Sequence, residues 1–114
     1  MIAETIEQII KEAHLKPQEE KLIVHLFGLC GETSKKRQEI IELFKQDESI
    51  KAQITHDWVL RHNANGLHKM RSAMLRLKIN VTAFRKACKE EPYLSLCNVL
   101  IGYDELQEGH NVSK

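Results

Sequence analysis

His68, Lys69, Ser72 and Arg76 carry the clearest chemistry in this chain, and it is the chemistry of holding an anion rather than of making or breaking a bond. At about 100° per residue they share one face of a helix, with Arg71 and Lys78 at its border. Leu67, Met70, Met74 and Leu77 fall on the opposite side, at the spacing of a stripe packed on a core. The run Asn65–Lys78 contains no acidic residue. A helix that is apolar behind and cationic or polar in front is what reading nucleic acid requires. The plainer alternative is a solvated basic helix with no partner.

Other chemistries find less support. Cys30, Cys88 and Cys97 are far apart in sequence, and His14, His25, His56, His62, His68 and His110 are scattered. No pair of them has metal-ligand spacing, so we expect no metal and no cofactor. The three cysteines lie on apolar stretches, where inert core thiols sit, so a Cys–His nucleophile is not indicated. None of the five glycines forms a phosphate-cradling loop. No aromatic residue interleaves with the basic run, as a single-strand stacking platform would need. The expectation is a binding protein and not an enzyme.

Charge is segregated along the chain. Residues 57–89 hold eight cations (Arg61, Lys69, Arg71, Arg76, Lys78, Arg85, Lys86 and Lys89) against Asp57 alone, whereas the segments on either side are net acidic. Such asymmetry suggests one surface for an anionic partner. An odd number of cysteines, with none close in sequence, suggests reduced thiols and a cytoplasmic location. No stretch approaches a membrane span, and the acidic first residues do not read as an export signal.

The positioning elements follow from periodicity. Ile2, Ile6, Ile9, Ile10 and Ala13 predict a first helix over 2–14, packed on its own domain or pairing with a second copy. Pro17 suits the first turn of a second helix, whose apolar face runs through Leu22, Ile23, Leu26, Phe27, Leu29 and Cys30 to a stop at Gly31. A third helix is expected after a cap at Thr33 or Ser34, with Lys35, Lys36 and Arg37 crowding its first turn and Ile40, Ile41, Leu43 and Phe44 buried. Ile50, Ile54 and Trp58 suit another helix, from about Ser49 to Arg61. Asn63-Ala64-Asn65-Gly66 reads as a turn, with Asn63 or Asn65 capping the basic helix. Beyond it, 79–88 reads as either a helix capped by Thr82 or a strand. Tyr93–Ile101 is the most strand-like segment, giving a hairpin across Lys89-Glu90-Glu91. Residues 1–106 are expected to form a single globular domain and 107–114 a flexible tail.

Three stretches resemble the DNA-binding domain of the OmpR/PhoB-type transcriptional regulators, a winged helix–turn–helix family. Leu15–Leu26, which opens Leu15-Lys16-Pro17-Gln18-Glu19, is similar to that family's first helix. Gly66–Met74 is similar to its recognition helix, and Leu100-Ile101-Gly102-Tyr103-Asp104-Glu105-Leu106 to the end of its wing. The likeness spans about residues 15–106, but a helix stands here in place of the family's N-terminal sheet. It implies a mainly α fold with a short β-hairpin, a winged helix–turn–helix with an extra N-terminal helix. It also implies a transcriptional regulator of double-stranded DNA. Asn65, His68, Lys69, Arg71, Ser72, Arg76 and Lys78 would then face bases and phosphates, flanked by Arg85, Lys86 and Lys89, with Lys35, Lys36 and Arg37 as a phosphate clamp. A homodimer or a regulatory protein partner would fit. The competing reading is a small helical protein-interaction module that binds an acidic partner.

Overall fold

In the computed structural model, which describes residues 2–50 and 53–101, the apolar residues are gathered by six helices. They are α1 (Ile2–Ala13), α2 (Pro17–Phe27), α3 (Arg37–Lys45), α4 (His56–Arg76), α5 (Val81–Ala87) and α6 (93–101). No strand occurs among the described residues. The expected winged helix is therefore wrong: 79–101 is a helix pair, not a hairpin. The burial pattern of α6 shows why. Leu96, Cys97, Leu100 and Ile101 are buried, while Leu94, Ser95, Asn98 and Val99 are exposed. Spacings of one, three and four are helical; a strand would have buried alternate residues. Glu91 anchors the start of α6, its carboxylate accepting from the Ser95 N–H and hydroxyl. α5 is capped at Asn80, not Thr82, through a bond from the Ala83 N–H to Asn80 Oδ1 at 3.0 Å.

α4 is the spine, and α1, α2 and α3 all pack on it. It begins at Thr55, whose hydroxyl accepts from the Trp58 N–H at 3.1 Å, and runs without a break through the expected turn at Asn63–Gly66. Packing overrides local preference here. Gly66 is buried where α4 crosses α2, and a Cβ at that position would lie 2.5 Å from Ile23 Cδ1. The missing side chain lets the two helices approach, which offsets glycine's cost in a helix of about 1 kcal/mol.

Two apolar clusters result. Leu22, Ile40, Ile41, Phe44, Ile54, Trp58 and Val59 form one, under α3 and the first half of α4. Ile6, Ile9, Ile23, Leu67, Met70, Met74, Phe84, Leu96 and Leu100 are among those of the other. Ile6 and Ile9 are buried, and Ile2 and Ile10 pack on the same cluster, so these isoleucines have partners within their own chain. Each fully buried Ile or Leu contributes about 1.5–3 kcal/mol.

Helix boundaries shift in two further places. α2 ends at Gly28, not Gly31; Gly28 takes the left-handed conformation (φ 75°) and its N–H bonds the Val24 carbonyl. α3 starts at Arg37 rather than after Thr33 or Ser34. Lys35 and Lys36 thus precede it, and Glu39 accepts from the Lys36 N–H at 3.0 Å. Among the described residues no helix is long and apolar enough to cross a membrane. The expected tail at 107–114 and the Gly102–Leu106 motif lie outside the described residues.

Candidate interaction surface

α4 divides into covered flanks and one open face. The flank at Trp58, His62, Lys69 and Arg76 meets α1, α2 and α3. Leu67 and Met74, on the far flank, join the cluster that holds α6. Between them, Asp57, Leu60, Arg61, Ala64, Asn65, His68 and Leu75 are exposed, and Ser72 is half-buried.

The sequence groups His68, Lys69, Ser72 and Arg76 on one face, but the fold gives their charges different tasks. Lys69 Nζ donates to Glu19 Oε1 at 2.7 Å. Glu19 is the one buried charged residue among those described, 2% exposed. Burial pushes its pKa up, but the bonds from Lys69 and the Lys16 N–H outweigh it, and the carboxyl stays below its ordinary value. Arg76 Nε donates to Glu12 Oε1 at 3.1 Å and its Nη2 to the Glu12 carbonyl at 2.8 Å, pinning the end of α1 to the end of α4. Arg71 donates to the carbonyls of Leu100 and Val99, each at 3.1 Å. These bonds tie α4 to α6. All three cations therefore bind helices of their own chain.

The remaining expected contacts are dispersed. Asn65 sits in mid-helix and caps nothing; it and His68 are exposed on the open face. Lys78, just beyond α4, and Arg85 and Lys86 on α5 are exposed. Lys35 is tied locally to the Thr33 carbonyl and to Glu32, at 3.4 and 3.9 Å, while Lys36 and Arg37 are exposed at the start of α3. The clamp at 35–37 and the basic helix are thus separate features.

What the sequence reading missed is the apolar content of the open face. Leu75 is 80% exposed and Leu60 48%. They lie fifteen residues apart, about 22 Å along the helix. Leu75 stands among His68, Ser72 and Arg76 in sequence, and the helical wheel that grouped those cations also placed Leu75 beside them. That signal was available.

Beside this face runs a groove of about 680 Å³, walled by Pro17, Gln18 and Lys21 of α2, by Asp47, Ser49 and Ile50, and by Trp58, Arg61 and His62 of α4. Asp47 accepts from Lys21 at 3.0 Å and from the Ser49 N–H and hydroxyl. The bonds from Ser49, then Lys21, hold its pKa down at about 2. The His62 ring stacks on Trp58 with centroids 4.0 Å apart, and its Nδ1 lies 2.8 Å from the Trp58 carbonyl. A carbonyl only accepts, so Nδ1 carries the hydrogen.

Among the described residues no group of three or more His, Cys, Asp or Glu is placed to hold a metal ion. Cys88 and Cys97 are buried against each other, and burial, then the neighbouring thiol, pushes Cys88 up to about 12. No family model matches the chain, and no curated protein or solved structure matches it.

Proposed function

We propose that this chain is a non-enzymatic helical interaction module that docks on another protein through the open face of α4. The observation that supports this reading is the pair Leu60 and Leu75, both exposed on a face otherwise small or polar. An interface gains from burying a leucine at 80% exposure. Cations border the face at Arg61 and Lys78, with Asp57 its one acid, so the matching partner surface is an apolar ridge with acidic edges. Buried thiols fit a cytoplasmic setting.

Double-stranded DNA is the competing proposal. It now rests on Lys78, Lys86, Lys89, Lys36 and Arg37, because Lys69, Arg71 and Arg76 would have to leave partners in their own fold to reach a duplex.

The test places a photo-cross-linking amino acid at position 75 of the whole chain in its host. A discrete protein adduct is expected. Leu60→Ser should remove it without changing thermal unfolding, and the same probe at Glu20, on the outer side of α2, should not form it. Equal adducts from both positions would overturn the proposal. So would duplex binding at moderate salt that survives Leu75→Ser and is lost with Lys78→Gln and Lys86→Gln.

A further inference from the structure

We propose that the groove between α2 and the first half of α4 binds a phosphate monoester carried on a planar apolar group. The site shares Arg61 with the edge of the docking face and is otherwise built from α2, the start of α4 and residues 47–50. Two cationic side chains border it from two helices, Lys21 and Arg61. The one acid among the described lining residues, Asp47, has both oxygens engaged, Oδ2 by Lys21 and Oδ1 by Ser49. The lining therefore keeps a net positive charge. Arg61 is exposed and makes no hydrogen bond or ion pair among the described residues. A guanidinium presents a fork that matches two phosphate oxygens, and such bidentate bonds are about twice as strong as neutral ones.

Lys21 supports the same assignment. Its ammonium lies 3.0 Å from Asp47 and 5.3 Å from the Phe44 ring centroid. It has three hydrogens and uses one on Asp47, so donors remain for a ligand. His62 gives its Nδ1–H to the Trp58 carbonyl, which fixes its ring as a wall of the groove. Apolar lining at Pro17, Ile50 and Trp58 favours an organic phosphate over the bare ion, and the volume suits a small ligand.

Trp58 is the only tryptophan, and it is stacked on His62 in the groove wall, so its emission responds to binding there. The experiment titrates the whole chain with phenyl phosphate, inorganic phosphate and acetate at constant ionic strength. Saturable change with phenyl phosphate is expected, weaker change with inorganic phosphate, and none with acetate. Arg61→Gln, at an exposed position, should weaken phenyl phosphate about tenfold. Lys11→Gln, on the outer side of α1, should leave it unchanged and so controls for overall charge. No saturation with phenyl phosphate, equal response to acetate, or undiminished binding in Arg61→Gln would each overturn the proposal. Inorganic phosphate binding as tightly as phenyl phosphate would refute the planar apolar carrier.

Discussion

Lys69→Met keeps the stem of Lys69 and removes its charge, which isolates the pair with Glu19. The Glu19 carboxylate is 2% exposed and accepts from Lys69 Nζ at 2.7 Å and from the Lys16 N–H at 2.9 Å. Breaking a fully buried pair costs about 3–5 kcal/mol, because one charge stays buried alone. The Lys69 side chain is 33% exposed, so water screens part of the interaction. We expect a loss of about 2–3 kcal/mol at pH 7. The pH dependence follows from the direction of the shift. In the native chain the Glu19 pKa lies below its ordinary 4.5. The pair therefore adds stability above that value, and the contribution is lost as pH falls through the folded pKa. Without Lys69 burial is opposed only by Lys16, so the folded pKa rises relative to the native chain, and the difference between the two shrinks as the carboxylate is protonated. The gap between native and variant should thus narrow between pH 7 and about pH 4. Urea unfolding followed by far-UV circular dichroism at both pH values measures it. Glu19→Gln with Lys69→Met should recover much of the loss. A difference under about 0.5 kcal/mol at pH 7, or one unchanged by pH, would refute the reasoning.

Four further outcomes are expected. Gly66→Ala should destabilise by about 1 kcal/mol despite its gain in helix propensity, since Ile23 is fully buried and cannot give way; Ile23→Val, which removes the offending Cδ1, should reverse the sign in a urea series. Thr55→Ala should cost about 1 kcal/mol by removing the α4 cap, and Thr55→Ser should restore it. Asp47, with its pKa held near 2 against 3.8, adds stability that is present above the higher value and lost as pH falls toward the lower; Asp47→Asn should flatten that limb in melting curves. Of the three thiols, exposed Cys30 should react at once with a disulfide reagent, and buried Cys88 and Cys97 only on unfolding.

α1, the start of α2 and the buried side of α3 were legible because each shows one clean apolar stripe. Pro17 marked a helix start as the first residue of α2, whereas Pro92 stands just ahead of α6 rather than in its first turn. The apolar richness of α6 concealed its period: Leu96, Cys97, Leu100 and Ile101 follow the helical period, but Leu94 and Val99 fill the gaps and imitate a buried strand. Asn63-Ala64-Asn65-Gly66 misled for a different reason. Its turn chemistry is real, but the buried residues on either side of it, Trp58 and Val59 before and Leu67 and Met70 after, hold one continuous helix, which no local pattern encodes. The basic face was legible as a pattern but not as a function. Whether Lys69, Arg71 and Arg76 meet a ligand or their own chain depends on Glu19, on the carbonyls of α6 and on Glu12, residues 50, 29 and 64 positions away. For the same reason Lys69→Ala and Arg76→Ala are poor probes of DNA binding, since each also loosens the fold.

The unbroken course of α4 has a mechanical consequence. Its first half belongs to the cluster around Phe44 and its second half to the one around Met70. The join between them, His62 to Gly66, contains two asparagines and a glycine, weak helix formers all. Asn63 Oδ1 is also buried there without a protein hydrogen-bond partner, a further local cost. The two half-cores are thus coupled through the softest part of the stiffest element. A helix breaker at Asn65 should split one cooperative unfolding transition into two, and a ligand that clamps the first half should be felt in the second only while that segment stays wound.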